Sequence, residues 1–148
     1  MARQSFMQTA QENIRKNLFE GCEAQFFKGM NVIAADPGDI VAKVSKALSG
    51  VGFCVVVEVP GGPAPIPEDP TEWDARVSVV ERPPVNRQRE NGKTADVVVD
   101  AILRSFANGG HFRPTRVVPA HTEKETCFVV EGKTTIVLSS AANGGGEC

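Results

Sequence analysis

Residues 53–59 read FCVVVEV, an apolar and β-branched stretch of strand length interrupted only by Glu58. The eleven positions that follow, PGGPAPIPEDP, hold five prolines. A strand that does not alternate is one buried on both faces. The proline stretch can neither pair in a sheet nor continue a helix, so it predicts a projecting loop over 60–70. Residues 73–81, WDARVSVVE, then alternate, with Trp73, Ala75, Val77 and Val79 to one side and Asp74, Arg76 and Ser78 to the other. That period of two predicts a half-buried strand. Two strands joined by one loop are natural antiparallel neighbours, so a sheet lies at the middle of the chain.

Helices are expected before and after this pair. Over 3–19, Phe6, Ala10, Ile14 and Leu18 recur every four residues and Met7 joins the stripe, with Gly21 as the stop. Residues 24–35 predict an irregular connection or a short strand around 30–34. A second helix is expected from Asp36 as N-cap, with Pro37 in the first position. Its apolar stripe is Ile40, Val41, Val44, Ala47 and Leu48, and Gly50 and Gly52 end it. Pro83 and Pro84 stop the second strand, and 85–93 form a polar, basic loop. Thr94 caps a third helix with Asp96 in its first turn, where an acid complements the helix dipole. Its buried face is Val97, Val98, Ala101, Ile102, Ser105 and Phe106, and it ends at Asn108-Gly109-Gly110.

Further on, 116–119 predict a short strand. Residues 126–131 and 134–139 flank Gly132-Lys133 as a hairpin. Residues 141–148, AANGGGEC, read as a flexible tail. The order α–α–β–β–α–β–β–β predicts a single α+β domain over 1–140: a mostly antiparallel sheet with helices packed on one side.

The 148 residues suit one domain with a real core. Sixteen Lys and Arg against 18 Asp and Glu leave a formal charge of −2. That is not the basic surplus of a dedicated nucleic-acid binder. No stretch reaches the ~20 apolar residues of a membrane-spanning helix. Residues 1–16 lack the apolar core of a secretion signal, so an intracellular chain is expected. Cys22, Cys54, Cys127 and Cys148 lie 32, 73 and 21 positions apart, which fits no CxxC metal pattern. Cys54 and Cys127 sit in strand-like runs and are expected to be buried and reduced.

Asn91-Gly92-Lys93-Thr94 ends a loop and opens a helix as a phosphate-binding loop does. The glycine which that motif needs five residues earlier is Arg87, however, so the reading here is a turn and a cap. His121, Glu123 and Glu125 crowd one polar loop without metal-ligand spacing. An enzyme built on His111, His121 and Glu123 shows no orienting partner. A thiol in the apolar run at Cys127 is expected to be inert. No catalytic residue, cofactor or metal is therefore expected, and the chain reads as non-enzymatic. What remains is a set of interface or lumen candidates: Trp73 and the basic residues Arg82, Arg87, Arg89 and Lys93.

The stretch 73–106 resembles the tail terminator, or minor tail completion, group of phage proteins. The likeness rests on a strand, then Glu81-Arg82-Pro83-Pro84-Val85-Asn86-Arg87, a polar loop with Gly92-Lys93-Thr94-Ala95, and an apolar helix. The amphipathic first helix, the second helix ending in Leu48 and the strand ending in Glu58 extend it over residues 1–140. The resemblance implies a virion protein assembled in the host cytoplasm. It implies a homo-oligomeric ring, a hexamer, that caps the tail tube and joins it to the head. Its implied partners are copies of itself, the tail-tube protein and neck or connector proteins, with DNA passing through the lumen without sequence-specific binding. The other readings are a neck, connector or tail-tube component, or a small host module that binds anions or nucleic acid.

Overall fold

A computed structural model of the protein describes residues 4–34, 38–86 and 93–140. Its elements run α1 (Phe6–Glu20), α2 (Ala24–Phe27), β1 (Val32–Ile33), α3 (Ile40–Gly50), β2 (Phe53–Gly61), β3 (Thr71–Glu81), α4 (Pro83–Asn86), α5 (Ala95–Ser105), β4 (Arg113–Pro119) and β5 (Thr126–Ile136). The strands form one five-stranded sheet in the order β1-β2-β3-β5-β4. β1 runs parallel to β2, and every other pair is antiparallel. The fold is α+β with a mostly antiparallel sheet, as the sequence predicts.

β2 and β3 pair from Phe53↔Glu81 to Glu58↔Arg76 and again at Gly61↔Asp74, with a register shift between. That shift falls at Pro60, which has no N–H to give to a ladder. Pro60 and Gly61 therefore stay in β2 and not in the loop expected there. β3 pairs along its whole length with β5, from Thr71↔Ile136 to Glu81↔Thr126. It is the central strand of the molecule.

α1 begins at a capping box. The Ser5 hydroxyl accepts from the Gln8 backbone N–H at 3.1 Å, and the Ser5 N–H donates to Gln8 Oε1 at 3.0 Å. Its buried residues are Ala10, Ile14 and Leu18, with Phe6 packed at the margin. α5 presents Ala95, Val98, Ala101 and Ile102 to the same side. Both helices cover the sheet face that carries Val55, Val57, Val77, Val79 and Val130, and Phe27 and Phe112 are buried in the same cluster. α3 lies on the other face. Its Ala47 and Leu48 pack with Ile33, Cys54 and Val56, and Val80 closes the group. The expected one-sided arrangement holds for α1 and α5 and fails for α3. β2 alternates Cys54 and Val56 towards one face and Val55 and Val57 towards the other, and both sets need cover.

Three apolar residues assigned to buried stripes are exposed instead: Met7, Val41 and Val97. Each adjoins a buried stripe but lies on its solvent side. The short strand expected around 30–34 is β1. The Asp36 cap and Pro37 lie outside the described residues, and α3 starts behind Asp39. Thr94 precedes α5, but its hydroxyl donates to Asp96 Oδ1 at 2.6 Å and does not cap the helix.

The largest departure is at Gly132-Lys133. No hairpin turn is there: β5 runs straight through, with Gly132 paired to Ala75 on one side and Pro114 on the other. A Cβ at Gly132 would stand 2.3 Å from the Arg113 carbonyl oxygen and 2.7 Å from Phe112 Cε1. The glycine thus marks a close backbone approach inside a strand. The expected strand at 116–119 is longer, Arg113–Pro119, and forms the far edge of the sheet. The expected tail, 141–148, lies outside the described residues.

Candidate functional site

α3 covers the sheet over β1 and β2, with Val80 of β3 at the margin of its cluster. On the same face, Val80 and Ser78 of β3, Cys127 and Val129 of β5 and Val118 of β4 come into register side by side. Val80, Cys127, Val129 and Val118 are half-buried. Below this apolar strip runs a row of charges that crosses four strands: Glu58↔Arg76↔Glu131↔Arg116. Arg76 donates through Nε and Nη2 to the two Glu58 carboxylate oxygens, both at 3.2 Å. This fork holds the Arg76 guanidinium above its ordinary pKa range. Arg116 Nε lies 3.2 Å from Glu131 Oε1. A further ion pair, Lys133 with Asp74, lies beneath. Above the strip, Arg82 pairs with Glu125 at 2.8 Å. An apolar centre bounded by polar rows is the layout of an interaction surface.

The two sheet edges differ. Arg15 Nε donates to the Val32 carbonyl at 3.0 Å and so occupies a main-chain acceptor of β1. β4 is exposed or half-exposed at every position, with prolines at 114 and 119. Proline and charge on an edge strand discourage indiscriminate pairing.

The ends of β3 carry the other notable features. At its start, the loop predicted to project is fastened down. Trp73 Nε1–H donates to the Pro63 carbonyl at 2.6 Å, and the Glu68 N–H donates to the Leu138 carbonyl at 2.8 Å. The Ser140 N–H donates to Glu68 Oε1 at 2.6 Å, which pulls the Glu68 carboxyl below its usual range. Ile66 is left standing outward, 64 % exposed. At the far end of β3, a cleft of about 520 Å³ lies between Arg82-Pro83-Pro84-Val85 and residues 121–126.

The residues singled out in the sequence fall as follows. Trp73 is in the core, edge-on to Phe6 at a ring separation of 5.1 Å, and offers little surface to a partner. Arg82 lines the cleft, and its Nε is buried without a hydrogen-bond partner among the described residues. Lys93 is turned inward: Nζ donates to the Phe26 carbonyl and lies 4.0 Å from the centre of the Phe26 ring. Arg87 and Arg89 lie outside the described residues, as does the Asn91-Gly92 turn. His121 lines the cleft, and its Nδ1 accepts the Cys127 N–H at 3.1 Å. His111 lies elsewhere, where its N–H donates to Asn17 Oδ1 at 2.8 Å. His121 and Glu123 line the same cleft, and His111 is not brought to them.

Cys54 is buried, while Cys127 is only half-buried and not fully enclosed as expected. Burial pushes the Cys54 thiol up to about 12, and burial with the nearby Glu125 raises Cys127 as well. Both shifts run against nucleophilic activation. Val80 stands between these two cysteines in register. Two strand spacings separate them by about 9–10 Å, beyond disulfide reach. Among the described residues, no group of three or more His, Cys, Asp or Glu could hold a metal ion. No helix among them is long and apolar enough to cross a membrane.

Sequence reasoning missed Glu81. It is 1 % exposed, accepts from Asn86 Nδ2 at 2.8 Å and from the Ala95 N–H at 3.2 Å, and so supplies the cap that Thr94 does not. Its position at a strand end before Arg-Pro-Pro carries no local sign of burial.

No protein-family model matches the chain, and comparison with curated proteins finds no match.

Proposed function

We propose that this protein is a structural assembly subunit, not an enzyme. In this reading it forms a closed homo-oligomeric ring that caps a phage tail tube, ends its growth and joins it to the head. The observation that supports the reading best is the half-clad sheet. One helix covers β1 and β2, and the same face of β3, β5 and β4 keeps an apolar strip between charged rows. A face of that composition is covered when identical subunits pack around an axis, and a head-to-tail contact closes into a ring when its rotation permits. Virion residence, tail-tube and neck partners and passage of DNA through the lumen belong to this same reading. A connector or tail-tube component would use the same surfaces.

The anion-binding alternative draws less from the fold. Of its four basic residues, Arg82 is paired with Glu125 and Lys93 is committed to Phe26. The remaining two, Arg87 and Arg89, lie outside the described residues.

The test is addition of the purified protein to growing tail tubes of the phage that encodes it. Tubes that stop at the length reached on addition, with a ring visible on one end by electron microscopy, are expected. Tubes that elongate unchanged and bind no protein would refute the role.

A further inference from the structure

We propose that the cleft between Arg82-Pro83-Pro84-Val85 and residues 121–126 receives the 62–70 loop of a second copy of this chain. The proposal rests on the ring reading above and names the contact that would build it.

The loop has the properties of a docking element. Prolines 63, 65, 67 and 70 restrict it, and it is fastened through Trp73 to Pro63 and through Glu68 to Leu138 and Ser140. Glu68 is the one non-glycine residue at positive φ among the described residues, at 69°. An exposed segment held in so constrained a shape has already lost its conformational entropy, which removes part of the cost of binding. At its crest the sequence Pro65-Ile66-Pro67 presents one large, mostly exposed apolar side chain.

The cleft is the matching half. Pro83, Pro84 and Val85 give it an apolar wall, and its volume of about 520 Å³ admits a side chain of the size of Ile66 with its flanking prolines. Charges match at the rim. Asp69 beside the crest and Lys124 beside the cleft each lack an ion-pair partner among the described residues. Arg82 keeps about a third of its side chain exposed at the same mouth.

The geometry excludes an intramolecular contact. The loop leaves the start of β3 and the cleft opens at its end, 11 residues away, about 34 Å along an extended strand. Knob and hole at opposite ends of one strand make a head-to-tail contact, the kind that generates rings.

The test uses two differently tagged full-length chains, each with Cys22→Ser and Cys148→Ser. One carries Ile66→Cys and the other Val85→Cys, and the mixture is oxidised. A cross-link between the two tags is expected. Ile66→Asp, at an exposed position that leaves the fold intact by circular dichroism, should weaken self-association by at least about 10-fold. Assembly at the parental affinity in Ile66→Asp, with no cross-link, overturns this docking and leaves a ring built on another surface. A parent chain that neither assembles nor cross-links at its highest concentration overturns the docking and the ring together.

Discussion

The Glu81 carboxylate accepts a hydrogen bond from Asn86 Nδ2 at 2.8 Å in the interior of the protein, and that same Nδ2 group also donates to the Lys93 carbonyl at 2.8 Å. One buried pair thus joins the end of β3, the short helix α4 and the start of α5. Lys93 carries the connection on to Phe26 in α2.

Removal of this acceptor should be costly. Glu81→Ala leaves the Asn86 amide and the Ala95 N–H without their carboxylate partner, at a cost of about 2–3 kcal/mol. Glu81→Gln retains one acceptor oxygen and should lose less. Urea unfolding of the three proteins measures both. A Glu81→Ala midpoint equal to the parent would show that the network does not support the fold.

Two glycine substitutions should move stability in opposite directions. Gly132→Ala forces its methyl against the Arg113 carbonyl and Phe112, and should destabilise by about 1–3 kcal/mol through overpacking. Gly50→Ala, at the end of α3, meets nothing within 4 Å and should stabilise by about 0.5–1 kcal/mol. Thermal unfolding decides each. A neutral Gly132→Ala would contradict the close approach of Arg113 and Phe112.

Alkaline conditions should expose Cys54. Its folded thiol titrates at about 12 against an ordinary 9.0, so the native state keeps the proton over an interval in which the unfolded chain has lost it. The stabilisation is complete below pH 9 and is lost as pH rises from 9 through 12, at up to about 1.4 kcal/mol per pH unit. Cys127, raised in the same direction, adds to the decline. Cys54→Ala should flatten the profile of stability against pH above 9. Alkylation of the native protein near pH 8 should label Cys22 readily and leave Cys54 unmodified until it unfolds. Rapid native labelling of Cys54 would contradict its burial.

The sequence predicted most of the architecture wherever the signal was local and periodic. α1, β2, β3 and α5 follow from apolar spacing, and the antiparallel β2–β3 pair follows from a single connection. Met7, Val41 and Val97 show the limit of that reading. An apolar residue beside a stripe looks like part of it until the helix is docked. Gly132 shows another limit. A Gly-Lys step between β-branched runs has the composition of a turn, and only Phe112 and Arg113, distant in sequence, reveal that it is a point of contact. The position of α3 could have been inferred, because a strand buried on both faces needs cover on both. Glu81 could not, because its burial depends on Asn86 and Ala95 folding over it. The cleft likewise joins residues 82–85 to 121–126, which no local pattern connects.

The central claim, a self-assembling structural subunit, is tested most directly by the solution mass of the purified protein, measured by light scattering across a wide concentration range. The account predicts a discrete species of several subunits, near six, that persists on dilution and is weakened by Ile66→Asp. The mass of a single chain at every concentration would contradict it.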